Sequence, residues 1–268
     1  MLWLILLNVG VYVSTFYLMP VLIEMIRPRQ SALNYQNREV PVGLGLVFSL
    51  TVVPSLIIGL IVGLLSIRQG GIAIITILSF GLLGLIDDTL GSREARGFRG
   101  HFRALRNGYL TTGALKAGFG FVIAVLTAVV AAGGVVNITL NALNIALCAN
   151  LANLLDVRPG RAGKFYLFSV LVFGLVGHLN PFLLLTAVSA AAYLPWDLNA
   201  EVMMGDVGSN VLGAVIGLTV MEFSVAGKAA VLFFLVIVHF YAERRSLTDL
   251  IEKTPFLNYL DLIGRKKV

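Results

Sequence analysis

The chain has few charged residues, since only 13% of its 268 positions are Asp, Glu, Lys or Arg and 58% are hydrophobic. This composition excludes a soluble globular protein, which needs a polar surface around its core. Cysteine is also scarce, because Cys148 is the only one. A single cysteine excludes an internal disulfide and a metal site built from several thiolates. The composition predicts a polytopic membrane protein in which Cys148 serves packing.

Long apolar segments follow one another along the chain. A membrane span needs around 20 mostly apolar residues, or fewer where neighbouring helices shield it. We predict an all-α transmembrane helix bundle of about nine spans, forming a single domain over residues 1–268. The predicted spans are residues 2–26, 42–67, 71–86, 112–132, 135–155, 165–178, 181–196, 207–223 and 226–242. The first could instead be a signal peptide, but no basic stretch precedes it, which favours a span.

Lysine and arginine are distributed unevenly between the two ends of these segments. Cytoplasmic loops of membrane proteins retain positive charge. Nine spans with the N-terminus outside and the C-terminus cytoplasmic leave only Arg68 and Lys228 of the 20 basic residues on the outer side. The asymmetry supports this orientation. The loop 92–112 carries five arginines with His101, which either reflect topology alone or gather polyanionic substrates.

Four carboxylates stand at the ends of apolar segments, all on the predicted cytoplasmic side: Asp87, Asp88, Asp156 and Asp206. Acidic side chains near hydrocarbon are costly and usually face a polar cavity where they have a function. Adjacent carboxylates also repel each other, and a divalent cation relieves this repulsion. The four acids therefore predict a cation site, with catalysis as a further role for the Asp87–Asp88 pair.

Two further patterns lie beside these acids. Asn150, Asn153 and Asp156 are three residues apart and share a helical face, which suits either a sugar or base or hydrogen bonds between helices. Gly205 and Ser209 flank Asp206, and backbone amides at a helix start favour an anion such as phosphate. The small residues Gly213 and Gly217 predict close helix packing.

Taken in order, these motifs resemble the polyprenyl-phosphate N-acetylhexosamine-1-phosphate transferases of glycosyltransferase family 4, which include the phospho-N-acetylmuramoyl-pentapeptide transferase. The likeness spans nearly the whole chain. It is carried by the stretches 87–91 (Asp-Asp-Thr-Leu-Gly), 150–156 (Asn-Leu-Ala-Asn-Leu-Leu-Asp) and 205–209 (Gly-Asp-Val-Gly-Ser), and by the proline-glycine stretch 41–45.

The resemblance implies a Mg²⁺-dependent enzyme that transfers a sugar 1-phosphate from a UDP-sugar to a polyprenyl phosphate and releases UMP. It would act at the bacterial cytoplasmic membrane in envelope polysaccharide or peptidoglycan synthesis. The implied metal ligands are Asp206 and Asp88. The implied catalytic residues are Asp87, Asp88 and Asp156, and the implied substrate-binding residues are Lys116, Asn150, Asn153 and His239.

The chain departs from the family pattern at two places. Gly-x-Asp-Gly usually follows the Asn-Leu-x-Asp motif, whereas this chain has Val157-Arg158-Pro159-Gly160. The family's histidine-rich cytoplasmic loop is also absent, and only His239 remains near its position, where a structural role is the alternative. These departures leave open a catalytically silent relative that acts as an envelope scaffold. A lipid or solute transporter is a second alternative, because polar residues within a bundle also mark permeation paths.

The C-terminal segment, about 244–268, mixes apolar and charged positions and predicts an amphipathic element on the cytoplasmic membrane surface. Docking to a protein partner is the alternative. The formal net charge of +6 follows from the topology, so we expect membrane lipids and an anionic substrate as partners and no nucleic acid. A homodimer is an open option for assembly.

Overall fold

The computed structural model describes residues 1–91, 106, 108, 111–131 and 133–266, and this part of the chain forms a helix bundle. The helices are α1 (Leu2–Ile26), α2 (Leu46–Ile61), α3 (Ile67–Leu90), α4 (Thr112–Val130), α5 (Val135–Leu155), α6 (Arg161–Leu175), α7 (Pro181–Leu198), α8 (Asp206–Val220), α9 (Val225–Ala242), α10 (Leu247–Lys253) and α11 (Pro255–Leu262). The expected role of the arginines and His101 in the loop 92–112 falls almost entirely outside the described residues.

Within the described ranges, six helices are long and apolar enough to cross a membrane: α1, α3, α4, α5, α7 and α9. Two more, α2 and α8, are apolar but shorter, and α6 has 15 residues. The chain is thus a helical membrane protein, as its composition predicts. The count of nine spans and the orientation remain predictions.

The prediction of a purely helical chain missed a small β-hairpin between α1 and α2. Its strands, β1 (Ser31–Leu33) and β2 (Glu39–Pro41), pair antiparallel. The buried side chain of Asn34 donates from Nδ2 to the carbonyl of Ala200 at 3.2 Å, which ties the hairpin to the connection between α7 and α8. Strands of three residues give no recognisable periodicity, so sequence patterns do not reveal this element.

Helix α2 begins four residues later than predicted because the proline-glycine stretch is used for pairing. The N–H groups of Gly43 and Leu44 donate to the carbonyl of Met203, and the N–H of Gly45 donates to that of Met204. These bonds satisfy N–H groups that would have no partner inside a helix starting at residue 42, because the first four N–H groups of a helix are unpaired. The stretch 41–45 thereby lies against the start of α8.

Helix α8 lies at the centre of the bundle, and every residue from Val207 to Val220 is buried. Glycines allow its neighbours to approach closely. A Cβ at Gly84 of α3 would overlap the backbone of Asp206, and Cβ atoms at Gly213 and Gly217 would overlap the backbone of α5. The predicted packing role of Gly213 and Gly217 is confirmed, and Cys148 is buried in the same contact.

The C-terminal segment forms two short helices, α10 and α11, rather than one continuous element. The side chains of Phe256 and Tyr259 on α11 are 69% and 67% exposed, whereas Asp261 is 6% exposed. The segment is therefore two-sided, with one polar residue turned into the protein and large apolar residues turned outward. Its position on the membrane surface remains a prediction.

Candidate active site

Lys116, near the start of α4, contacts carboxylates that two other helices supply. Its Nζ lies 3.1 Å from Oδ2 of Asp87 in the last turn of α3, and it forms a second ion pair with Oδ2 of Asp206 at the start of α8. The three side chains are only about one-fifth exposed. Partial shielding from water strengthens attraction between such charges. One cation therefore joins three helix ends at one end of the bundle.

Asp88 binds the start of α8 rather than Lys116. Its Oδ1 accepts from the N–H of Asp206 at 2.9 Å, and its Oδ2 accepts from the N–H of Val207 at 3.0 Å. The first amides of a helix have no partner within the helix and carry partial positive charge. A carboxylate from α3 thus caps α8 and fixes the direction in which Asp206 projects.

Gly205 makes this close approach feasible. Its φ of +73° lies in the left-handed region, and a Cβ there would lie 2.5 Å from Oδ2 of Asp88 and 3.0 Å from the Cα of Gly43. A side chain at this position would be strained by the backbone and would also displace Asp88. The glycine before Asp206 is therefore required by geometry.

The end of α5 closes the other side of the cluster. Nδ2 of Asn153 donates to Oδ2 of Asp206 at 3.0 Å. Asp156, directly after α5, faces the backbone N–H of Gly205. Burial raises the pKa of Asp156 well above its ordinary value, and the nearby carboxylates of Asp197, Asp206 and Asp88 act in the same direction. Asp156 thus belongs to the same electrostatic cluster as Asp206.

Two predicted substrate-binding residues make no described contact with this cluster. Asn150 is half-buried one turn before Asn153, and no described residue hydrogen bonds to its side chain. His239 is buried near the end of α9, where Nδ1 lies 2.7 Å from the carbonyl oxygen of Leu235. Its Nε2 is buried and has no hydrogen-bond partner among the described residues. Their roles in binding remain predictions.

A buried carboxylate that sequence reasoning missed lies behind Asp156. Asp197, on α7, is 3% exposed, and its Oδ2 accepts from the N–H of Gly160 at 2.8 Å. This bond holds the loop 157–160, which follows Asp156 and departs from the family motif. The position of Asp197 directly after the predicted span 181–196 was the signal, since it is the same kind of position as those of the other four acids.

The donor atoms of the site suit magnesium, which prefers oxygen ligands. Within the described part of the chain, no three Asp, Glu, His or Cys side chains are grouped closely enough to hold a metal by themselves. Mg²⁺ in phosphate-transferring sites is commonly held by one or two carboxylates together with water and substrate phosphates. The neighbouring carboxylates of Asp87 and Asp206 meet this requirement. Both oxygens of Asp88 already accept backbone N–H bonds, so the contacts favour Asp87 over Asp88 as the second ligand.

Comparison with known families agrees with the motifs and their arrangement. A model for glycosyl transferase family 4 matches residues 71–224, a range that contains most of α3, all of α4, α5, α6, α7 and α8, and every carboxylate of the cluster. The chain belongs to glycosyl transferase family 4. It is therefore a membrane-embedded transferase by family. No curated protein matches the chain.

Proposed function

We propose that the protein transfers a sugar 1-phosphate from a UDP-sugar to a polyprenyl phosphate at the cytoplasmic face of the bacterial membrane, in envelope polymer synthesis. The observation that carries this proposal is the cluster in which Lys116, Asp87, Asp206 and Asn153 converge from four helices at one end of a family 4 bundle. A membrane-spanning scaffold suits a lipid acceptor. A cluster of carboxylates, an ammonium and an amide suits phosphates and a metal ion.

The reaction exchanges one phosphoanhydride bond for another. An oxygen of the lipid phosphate forms a bond to the phosphorus attached to the sugar, and the bond from that phosphorus to the UMP oxygen breaks. UMP leaves with the electron pair of the broken bond. Phosphoryl transfer of this kind depends on positioning and on stabilising charge at the oxygens around phosphorus.

Each residue of the cluster has a role that follows from its contacts. Asp206 and Asp87 would hold magnesium, which neutralises charge on the diphosphate when it is bound. Lys116 offers its ammonium to phosphate oxygens when the carboxylates bind the metal. Asp88 keeps α8 in place, so that the direction of Asp206 is set before substrate binds.

The nucleotide end of the donor is assigned to α5. The amide of Asn153 points into the cluster, and Asp156 lies beside Gly205 at the start of α8. Amides donate and accept hydrogen bonds without charge, as recognition of a uracil or a ribose requires. Asn150 and His239 are proposed only as outer contacts to the donor, since neither touches the cluster.

The test is a donor screen with the purified full chain in lipid nanodiscs. Radiolabelled UDP-sugars, a polyprenyl phosphate and Mg²⁺ should yield a lipid-linked sugar, and chelation of the metal should stop the reaction. Asp206→Asn should lower turnover by about 100-fold or more, because it removes a charge at the reacting phosphates. The matched control is Asp249→Asn, which changes an exposed acid on α10 and should retain wild-type turnover.

Two results would contradict the proposal. One is absence of product with every donor together with normal folding of the protein, which would favour the scaffold. The other is movement of a substrate across vesicles with no covalent change, which would favour transport.

A further inference from the structure

The α6 helix begins with an arginine whose position needs an explanation. Arg161 is the first residue of α6, where a positive charge opposes the helix dipole. It is also 5% exposed, and burial of an unpaired guanidinium is costly. Its hydrogen-bond partners come from the C-terminal segment. Nε and Nη2 donate to Oδ1 and Oδ2 of Asp261, both at 2.9 Å, and Nη1 donates to Oγ1 of Thr248 at 3.0 Å.

This pair is the centre of a larger set of contacts made by residues 246–266, which we name the C-terminal clamp. Nζ of Lys164 donates to the carbonyls of Leu260, Asp261 and Ile263 at 2.5–3.1 Å, so α6 also caps the end of α11. Arg265 donates from Nη2 to Oδ1 of Asp261 at 2.6 Å. The attachment is therefore bidentate, buried and supported by three cations, unlike a weak surface ion pair.

The clamp also binds the loop 157–160 directly. Nε of Arg265 donates to the carbonyl of Pro159 at 2.8 Å, and Glu252 lies 3.6 Å from Nη2 of Arg158. Outside the clamp, the ring of Tyr35 in the hairpin stacks on Arg158 at 5.4 Å, and Oδ2 of Asp197 accepts from the N–H of Gly160. The loop is thus held by the clamp, the hairpin and α7 together, and it follows directly after Asp156.

We propose that the C-terminal clamp positions the donor-binding end of the active site, with Asp261 as a positioning residue that acts through Arg161 and Arg265 on the loop after Asp156. This inference rests on the proposed function, in which α5 and Asp156 receive the nucleotide. The contacts to the carbonyl of Pro159 and to the amide of Gly160 come from Arg265 and Asp197, which are distant in the sequence. The clamp therefore fixes the loop 157–160 through residues that lie outside the motif at 150–156.

The first test measures the clamp without any substrate. Hydrogen exchange is followed in the full chain in nanodiscs for wild type, Asp261→Asn, Arg265→Gln and the control Asp249→Asn. The informative amides are those of Gly160, which donates to Oδ2 of Asp197, and Arg161, which donates to the carbonyl of Arg158. Asp261→Asn and Arg265→Gln should speed their exchange about tenfold, and Asp249→Asn should leave it unchanged. Arg265→Gln keeps the buried Arg161–Asp261 pair, so it provides the test if Asp261→Asn does not fold.

The second test is kinetic and separates positioning from general loss of structure. In both clamp variants the KM for the UDP-sugar should rise about tenfold, while kcat and the KM for polyprenyl phosphate stay within about twofold. A loss that falls equally on kcat and both KM values, with a lower unfolding temperature, would overturn the proposal in favour of a purely structural role.

The two proposals fail in different ways. Unchanged exchange at Gly160 and Arg161, while residues 246–266 exchange faster, would show that the loop is held without the clamp and would overturn the present inference alone. A wild-type protein that turns over no donor would overturn the proposed function and the kinetic role of the clamp. The exchange result would then still decide whether the clamp holds the loop.

Discussion

Lys116 is the residue whose chemistry connects the whole candidate site. Its ammonium group neutralises Asp87 and Asp206, which would otherwise face each other across the ends of α3 and α8. An ammonium on a flexible stem is a compact charge that can turn from one oxygen to another. Lys116 can therefore stabilise the free protein through its carboxylates and then contact phosphate oxygens when substrate is present.

Replacement of this lysine tests its role at the substrate phosphates. Lys116→Met keeps the apolar stem and removes the charge, and we expect turnover to fall by about 100-fold because charge at the phosphates is no longer neutralised. Turnover with saturating Mg²⁺ and donor is the measurement. The control is Lys228→Met, since Lys228 is also buried but pairs with Oδ1 of Asn137 at 2.8 Å, away from the carboxylates. Equal turnover in the two variants would contradict the assignment.

The residues of the site were predictable to different degrees. Asp87, Asp88, Asp156 and Asp206 stood out because acids are rare at the ends of apolar segments, and the structure does bring them to one end of the bundle. Their individual contacts were not predictable. Asp87 faces Lys116, whereas Asp88 caps α8. This difference depends on how α3 is rotated about its axis, and the sequence of two adjacent acids does not predict that rotation.

At the scale of elements, the active site depends on how closely α3 approaches α8. Gly84 faces the backbone of Asp206 and Val207, one turn before the two acids of α3. No side chain separates the helices there, so the carboxylate of Asp88 can reach the first amides of α8. The contact that packs the bundle is also the contact that places Asp206.

A methyl group at this contact should therefore affect both stability and activity. Gly84→Ala adds a Cβ that overlaps the backbone of α8, and we expect a loss of about 1–3 kcal/mol together with reduced turnover. Thermal unfolding in detergent and the transferase assay are the measurements. Gly71→Ala, in the same helix, meets nothing within 4 Å and should be neutral or slightly stabilising, because alanine favours helix. Similar effects at both positions would show that the close approach is not what matters.

The elements themselves were predictable where one local signal dominates. The lengths of the apolar segments predicted the positions of α1 to α9, because a long apolar segment in a membrane protein usually forms a helix. The hairpin and the inward contacts of the clamp were missed for a shared reason. Asn34 binds a carbonyl at Ala200, and Arg161 binds Asp261, so these elements are specified by partners about 100 or more residues away. Local patterns do not contain such information.

For the whole molecule, the orientation in the membrane decides which compartment supplies the substrate. The cluster at Lys116, the hairpin and the C-terminal clamp all lie at the end of the bundle that the distribution of basic residues assigns to the cytoplasm. The proposed reaction takes its UDP-sugar from the cytoplasm, so the candidate site must open on the cytoplasmic side. The other end of the bundle holds Lys228, in the first turns of α9, and the connection between α6 and α7, for which no chemistry is proposed.

Cysteine labelling in whole cells tests this orientation. Cys148 is buried, and Cys148→Ala gives a background without thiols. In that background we introduce Glu39→Cys in the hairpin or Leu179→Cys before α7, both at exposed positions. A membrane-impermeant maleimide should label Leu179→Cys in intact cells and should label Glu39→Cys only after permeabilisation, because basic segments stay on the cytoplasmic side. The reverse pattern would place the carboxylate cluster outside the cell, where no UDP-sugar reaches it, and would contradict the proposed reaction at the level of the whole protein.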